Sequence, residues 1–476
     1  MKKSIIAIIR KVIFPYSSGK RFHIISLFLI LFLNSNAQTG TSGINYPPAV
    51  RGTVTDDYFG TMVTDPYRWL EDDNSEETKT WVQQQNKITS EYLSAIPYRG
   101  AIKERITDLY NYARTSPPYR QGDYYFFTRN DGLQPQSVTY YKKGLDGEPL
   151  VFMDPNAMNP AGTTAVNLIG FSNERKYVAY TIAESGSDWQ TIYIKDIAAN
   201  KQLPDKLEWT KFSGAAWYRD GFFYSGYDVP EKGTELLKQN QSQKIYYHKL
   251  GDEQYNDRVV WADHDHPLRY VFAQTTEDEK FLILNLTEGT DGSEVWYMDL
   301  RNPHMGFKKI LPGFKYNYSV LDNEGENFIV QTNNSAKNYE LVLIDPKNPD
   351  IKNWKPIVPE KQELLENVFV AGGKLICSYL KDATAHVYQY NRNGSLEHEI
   401  KLSIPGTIGG FSGEKNDSVL FYSLTSFVSP ATIYKYHVAS GKSFVYKKPD
   451  VNFNPDDYVT KQVFYPSKDG TRIPMF

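Results

Sequence analysis

The sequence contains a single cysteine in 476 residues, Cys377, so the chain has no internal disulfide. Because Cys377 lies in an apolar run, we expect a buried, unreactive thiol. The sequence also lacks a large excess of either positive or negative residues. The 53 basic and 56 acidic residues leave a net charge of −3, without the basic surface that nucleic-acid binding requires. Glycine and proline are spread along the chain, which excludes a collagen-like or low-complexity protein.

The N-terminal apolar run, residues 24–33, has only 10 residues, and a membrane-spanning helix needs about 20. Basic residues precede this run, and Ser35 and Ala37 supply small side chains at the −3 and −1 positions of a cleavage site. We therefore predict that residues 1–37 are a signal peptide cleaved after Ala37, and that the protein is periplasmic or secreted. The alternative, a permanent membrane anchor, is disfavoured by the short run.

Aromatic residues are abundant, with 36 Tyr, 25 Phe and 8 Trp. They supply enough apolar area to offset chain entropy, which excludes a disordered protein. The length exceeds what one compact core usually holds, so two or more domains or a repeat architecture are expected.

Residues 38–118 are predicted to be a helical N-terminal segment. Asn74 and Glu77 resemble a capping box, and Trp81, Ile88 and Tyr92 follow on one helical face. A second short helix is expected around residues 102–110, and Pro117-Pro118 closes the segment.

Residues 119–449 alternate in the manner of β-strands, with short aromatic and β-branched runs between Gly, Asp and Asn turns. Seven such units begin near Tyr119, Phe171, Trp217, Gln274, Val320, Val368 and Phe411. Their spacing of 43 to 57 residues predicts a seven-bladed β-propeller. In the echoing stretches 296–300, 341–345 and 433–437, inward and outward positions are expected to alternate. A two-layer sandwich is the alternative, but it would not repeat evenly seven times.

A hydrolase nucleophile on a strand-to-helix elbow needs small residues two positions before and after the serine. Three serines have a glycine two positions before them but a larger residue two positions after them, so none qualifies: Ser42, Ser412 and Ser443. The stretch 263–266 could supply metal ligands, but its spacing matches no zinc motif and a solvated loop is the favoured interpretation. We expect no catalytic residue, no metal site and no cofactor in this chain.

Several stretches, in order along the chain, resemble the prolyl oligopeptidase family of serine peptidases, and specifically its prolyl endopeptidase branch. They are Asp65-Pro66-Tyr67-Arg68-Trp69-Leu70-Glu71-Asp72, Gln85-Asn86-Lys87-Ile88-Thr89, Ser185-Gly186-Ser187-Asp188-Trp189, Tyr246-Tyr247-His248-Lys249-Leu250-Gly251 and Phe464-Tyr465-Pro466-Ser467-Lys468-Asp469-Gly470-Thr471. The resemblance implies a mainly β fold: a short helical segment, a seven-bladed propeller and then an α/β-hydrolase domain. We expect residues 450–476 to be the truncated start of that domain, with the Ser, Asp and His triad beyond the point matching Phe476.

The resemblance also implies substrate-binding positions in the propeller. Phe212 matches a family phenylalanine that packs against bound peptide, and the alternative for it is a plain blade-core aromatic. Tyr270 and Thr290 align with positions that are Met and Cys in mammalian relatives, so they depart from the family pattern.

The resemblance therefore predicts the N-terminal and propeller part of an exported serine-type prolyl endopeptidase, which cleaves short peptides after proline. The propeller would gate substrate access, and this chain alone would be inactive. Its expected partners are short proline-containing peptides and the missing hydrolase domain, with no nucleic acid and no stable membrane anchor, and the intact protein would be a monomer. The alternative is a non-catalytic propeller that binds peptides or proteins. A dipeptidyl peptidase relative is a third possibility that the matched stretches disfavour.

Overall fold

The computed structural model describes residues 44–236 and 239–476. The predicted signal peptide, residues 1–37, lies outside the described residues. The chain divides into two units, residues 1–100 and 101–476. In the part of the chain that the structure describes, no helix has both the length and the apolar character needed to cross a membrane.

The first unit contains a β-hairpin and a long helix. The hairpin pairs β1 (Thr55–Tyr58) with β2 (Thr61–Thr64) through a tight turn in which Phe59 and Gly60 both have positive φ, at 56° and 89°. A 3-10 turn (Arg68–Glu71) leads to α1 (Glu76–Ser94). The predicted cap, Asn74, is wrong by one residue, because the hydroxyl of Ser75 accepts the hydrogen bond from the Thr78 N–H.

The helix α2 (Arg99–Tyr110) begins at the end of the first unit and leads into blade 1 of the propeller. Blade 1 consists of β3 (Arg114–Thr115), β4 (Tyr119–Gln121), β5 (Tyr124–Asn130), β6 (Val138–Lys143) and β7 (Leu150–Met153). Both β3 and β4 pair with β5. Pro117 and Pro118 lie between them, and since proline has no N–H to donate, they divide this first strand into two pieces.

Six further four-stranded sheets follow in chain order, after the short helix α3 (Pro155–Met158). Blade 2 consists of β8 (Thr164–Phe171), β9 (Tyr177–Glu184), β10 (Gln190–Asp196) and β11 (Lys201–Thr210). Blade 3 consists of β12 (Ala216–Tyr218), β13 (Gly221–Gly226), β14 (Lys244–Lys249) and β15 (Arg258–Ala262). Blade 4 consists of β16 (Tyr270–Thr275), β17 (Phe281–Thr287), β18 (Glu294–Asp299) and β19 (Lys308–Leu311).

Blade 5 consists of β20 (Tyr318–Glu324), β21 (Asn327–Thr332), β22 (Glu340–Ile344) and β23 (Lys355–Val358). Blade 6 consists of β24 (Leu364–Ala371), β25 (Lys374–Lys381), β26 (Thr384–Asn391) and β27 (Leu396–Ile400). Blade 7 consists of β28 (Thr407–Ser412), β29 (Val419–Ser426), β30 (Ser429–His437) and β31 (Lys442–Lys447). The predicted seven-bladed β-propeller is thus confirmed, and all seven predicted unit starts fall within first strands.

Packing between blades explains why the predicted alternation of inward and outward positions is wrong. Along β13 every residue is buried, and in β22 the neighbouring side chains of Leu341 and Val342 are both buried. A blade has another blade against each of its two faces, so successive side chains enter two different apolar layers. Cys377 is buried in the layer between blades 5 and 6, in agreement with the sequence.

After blade 7 the chain passes a 3-10 turn (Pro455–Asp457) and forms a second hairpin. This hairpin pairs β32 (Val463–Pro466) with β33 (Arg472–Met475), as the sequence predicts for that stretch. Gly470 supplies a positive φ of 85° in the connecting turn.

Candidate functional site

The three predicted substrate-binding residues share one end of the propeller. Consecutive strands of every blade are antiparallel, so the linkers between blades and the loops between second and third strands emerge at the same end. Phe212 lies in the linker from β11 to β12, Tyr270 starts β16, and Thr290 lies in the loop from β17 to β18. We call this end the linker end.

Phe212 projects from a strained turn. Its φ is 53° and that of Trp209 is 58°, a left-handed conformation that bulky residues rarely adopt. The side chain of the preceding residue, Lys211, is buried, whereas that of Phe212 is 47% exposed. A half-exposed ring does not fit the alternative of a blade-core aromatic.

Phe212 and Tyr270 form an edge-to-face pair. Their ring centroids are 6.0 Å apart with an interplanar angle of 76°, a favoured aromatic geometry. Tyr270 is 38% exposed, so the two rings together present an apolar, partly solvated surface. We call Phe212 and Tyr270 the aromatic pair.

Thr290 lies on a different surface. Tyr270 pairs with Thr287, and Thr290 follows three residues later in an exposed loop. Its side chain lines a cleft of about 500 Å³ between blades 4, 5 and 6, and the lining residues do not include Phe212 or Tyr270. The other contributors are mostly polar, including Asn285, Asn317 and Glu366.

The sequence alone does not predict the aromatic cluster that holds Lys211, the residue before Phe212. The ring of Trp189 packs edge-to-face against Trp209 at 5.5 Å and against Tyr227 at 5.7 Å. The ammonium of Lys211 lies 4.1 Å from the centre of the Trp189 ring, and burial lowers the pKa of this lysine. Trp189, the central ring of this cluster, ends the Ser185–Trp189 stretch that resembles the family.

A second buried cluster connects blades 2 and 3. His248 is enclosed, with Nε2 3.1 Å from an Asp205 carboxylate oxygen and Nδ1 2.8 Å from an Asp257 oxygen. Burial by itself would lower the pKa of His248, but the hydrogen bonds to the two carboxylates outweigh it and raise the pKa to about 9. At neutral pH the imidazole is therefore a cation that donates to both carboxylates. The fully buried ring thus joins Asp205 of blade 2 to Asp257 of blade 3.

The histidine-rich loop at residues 263–266 forms a local turn. One carboxylate oxygen of Asp263 accepts hydrogen bonds from the main-chain N–H groups of Asp265 and His266, and the other contacts Arg269. Among residues 44–236 and 239–476, no group of three or more His, Cys, Asp or Glu side chains is arranged to hold a metal ion. Ser412 donates its hydroxyl to the Pro118 carbonyl, so this hydroxyl serves a main-chain contact.

The fold defines a class, that of seven-bladed propeller domains, and this one presents an exposed aromatic pair at the linker end. Residues 47–449 match the family described as prolyl oligopeptidase, N-terminal beta-propeller domain. The chain belongs to the prolyl oligopeptidase family.

Individual relatives agree with this assignment. A prolyl endopeptidase from Elizabethkingia miricola is 43% identical over 445 residues, which are 93% of this chain and 63% of the relative. Prolyl oligopeptidase A from Amanita bisporigera is 31% identical, covering 90% and 62% respectively. A solved prolyl endopeptidase structure superposes with a TM-score of 0.81 at 30% identity, covering 90% of this chain and 64% of that one. The chain therefore spans less than two thirds of the length of these relatives.

Proposed function

We propose that this chain is the N-terminal and propeller part of an exported serine-type prolyl endopeptidase, which cleaves short peptides after proline. The observation that carries the proposal is the aromatic pair at the linker end. Two partly exposed rings at a steep angle offer an angled apolar surface to a proline ring, and aromatic-lined grooves are a common way to recognise proline-containing segments.

In this proposal the propeller supplies a wall and a gate, and the hydrolase domain supplies the chemistry. There a serine attacks the peptide carbonyl, a histidine moves the proton and an aspartate orients the histidine. The ring of seven blades limits access to short, flexible peptides. Exposed apolar side chains of the first unit, including Phe59 and Met62, fit a further contact with that domain.

The test compares the chain alone with a chimera in which it continues into the part of the Elizabethkingia miricola enzyme that it does not cover. We expect the chain alone to leave a Gly-Pro anilide intact. The chimera should hydrolyse it with inhibition by a serine-directed reagent, and should cleave short peptides but not a folded protein. Turnover by the chain alone, or a folded chimera without activity, would contradict the proposal. Peptide binding without activity in the chimera would favour the alternative, a peptide-binding module.

Export is proposed on the sequence of residues 1–37, and the monomeric state on the family resemblance. Expression of the whole chain in a Gram-negative host should place it in the periplasm with Gln38 at its N-terminus, and sedimentation should give a monomer. Retention in the cytoplasm with Met1 in place would overturn the proposal of export.

A further inference from the structure

The turn that presents Phe212 requires an external restraint. Two bulky residues with positive φ, Trp209 and Phe212, lie within four positions of one another. Such conformations are costly and persist only where the surrounding structure fixes them. The contacts that fix this turn therefore also fix the direction of the Phe212 ring.

Gln243, directly before β14, bridges the two backbone segments that carry the aromatic pair. Its Nε2 donates to the Lys211 carbonyl at 3.1 Å, and its Oε1 accepts from the Val271 N–H at 2.8 Å. Lys211 precedes Phe212 and Val271 follows Tyr270, so one side-chain amide connects the neighbours of both rings. The Gln243 side chain is only 2% exposed, so water does not compete for these bonds.

Ser225, in β13, forms a second bridge between the same segments. Its hydroxyl donates to the Val271 carbonyl at 2.7 Å, and its N–H donates to the hydroxyl oxygen of Ser213 at 2.9 Å. Ser213 follows Phe212, so the linker is held on both sides of that residue. Two side chains of blade 3 thus satisfy both main-chain groups of Val271.

The chemistry of the amide matters at Gln243. The amide nitrogen must donate to the Lys211 carbonyl while the amide oxygen accepts from the Val271 N–H. Lys211 and Val271 are both buried. Leucine supplies neither function and leaves the Lys211 carbonyl and the Val271 N–H without these partners. Glutamate keeps the acceptor but turns a second oxygen toward the Lys211 carbonyl. An unpaired buried polar group costs more than the hydrogen bond contributes, so the bridge specifies one geometry.

We propose that Gln243 and Ser225 are positioning residues, which set the separation and angle of the aromatic pair and thereby the shape of the peptide-binding surface. The proposal rests on the proposed function in one respect, that the aromatic pair contacts the peptide. Gln243 itself acts through Lys211 and Val271.

The test uses the full chain labelled with 3-fluorotyrosine, with the Tyr270 resonance assigned by its loss in Tyr270→Phe. Phe212→Leu gives the reference position of that resonance without the neighbouring ring. We expect Gln243→Leu to move the Tyr270 resonance toward this reference. The matched control is Gln389→Leu, because Gln389 is also buried and donates across a blade junction, to the Val438 carbonyl between blades 6 and 7.

Both glutamine variants should lower the melting temperature, but only Gln243→Leu should move the Tyr270 resonance. An unchanged resonance in Gln243→Leu, or an equal movement in Gln389→Leu, would overturn the proposal. If Gln243→Leu does not fold, Ser225→Ala replaces it, with the same expected movement. This readout needs neither peptide nor peptidase activity, so it is independent of the proposed function.

A second measurement addresses the peptide. Titration of a short Gly-Pro peptide should give a dissociation constant about fivefold higher for Gln243→Leu than for the parent chain, since a misplaced aromatic surface loses a contact of that order. Gln389→Leu should bind as the parent does. If the parent chain binds no peptide, the proposed function is at fault, whereas a moved resonance with equal binding would contradict the role of Gln243 in recognition.

Discussion

The six junctions between consecutive blades differ in kind from the junction between blade 7 and blade 1. Each consecutive junction contains one of six buried apolar clusters, for example the Phe281 and Phe328 layer of blades 4 and 5. None of these six clusters, drawn from the described residues, spans blades 7 and 1. We call that last junction the seam.

The seam is held by polar contacts and single aromatic contacts. Arg120 of blade 1 forms an ion pair with Asp417 of blade 7, and Ser412 bonds to the Pro118 carbonyl. The carboxylate of Glu414 accepts from the Gly122 N–H at 3.2 Å and also binds Arg175 of blade 2 at 2.8 Å. These loops connect first and second strands, so they emerge at the end opposite the linker end.

Chain continuity explains the difference. A short linker keeps consecutive blades adjacent, so non-directional apolar packing is sufficient to join them. Blades 1 and 7 are separated by the whole propeller in sequence, and no strand of either sheet is shared with the other. Directional charged contacts select the correct partner there, but they contribute less and are screened by salt.

The largest effect should come from an apolar junction. Phe328 is fully buried with ring centroids 5.0 Å from Phe281 and 5.5 Å from Tyr297, so Phe328→Ala should lower the free energy of unfolding by about 3–5 kcal/mol. Urea unfolding should give the same loss at low salt and at about 1 M salt, since apolar packing is not screened. The control is Phe444→Ala on the exposed face of β31, with little loss expected. A strongly salt-dependent loss of stability in Phe328→Ala would contradict the distinction between apolar junctions and the charged seam.

The next effect depends on pH and concerns a charge inside an apolar junction. The pKa of His248 is raised to about 9 by Asp205 and Asp257 against the effect of burial. A raised pKa stabilises the fold fully below about 6.5 and loses that contribution as the pH rises through 9. We expect a loss of about 2–3 kcal/mol across this window. Tyr224 and Tyr246 adjoin the cluster, but burial raises the pKa of each above the window.

Thermal unfolding from neutral to alkaline pH checks this expectation. His248→Gln should be destabilised at neutral pH but should lose the fall in stability between pH 6.5 and 9. The exposed residue His304 provides the control, because His304→Gln should keep the alkaline fall. If His248→Gln retained that fall, the buried imidazolium would not be its cause.

A smaller effect is expected at the seam. Asp417 is 5% exposed but Arg120 is 37% exposed, so solvent screens the pair, and Asp417→Asn should cost about 1–2 kcal/mol. The loss should shrink at high salt, in contrast to Phe328→Ala. The exposed pair of Lys352 and Asp350 supplies the control, since Asp350→Asn should change stability very little. If the loss of stability in Asp417→Asn were the same at low and high salt, packing and not charge would stabilise the seam.

Local patterns in the sequence were sufficient to predict the blades but not their junctions. Each first strand is bounded by turn residues a few positions away, so a short stretch of sequence is enough to predict it. The contacts between blades join distant residues, as in the ion pair of Arg175 and Glu414, which are 239 positions apart. The cap of α1 was misplaced because Asn74 and Ser75 are both good caps, and only the backbone geometry distinguishes them.

At the candidate site, resemblance gave Phe212, Tyr270 and Thr290, but not their geometry. Phe212 and Tyr270 approach each other because their linkers emerge at one end and are joined through Gln243. Gln243 lies 32 positions from Lys211 and 28 from Val271. The sequence does not distinguish a buried glutamine from a solvated one, so no local pattern predicts the role of Gln243.

The smallest effect on stability should come from the aromatic pair itself. Phe212 is half-exposed and loses chiefly its partly solvated edge-to-face contact with Tyr270, so Phe212→Ala should lower the free energy of unfolding by only about 0.5–1 kcal/mol. Under the proposed function peptide binding should nevertheless weaken, because the variant removes the exposed ring proposed to contact the peptide. Urea unfolding and peptide titration of the same variant separate these two quantities. A stability loss as large as that of Phe328→Ala would show that Phe212 is a packing residue of a blade junction. The aromatic pair would then not be a peptide-binding surface.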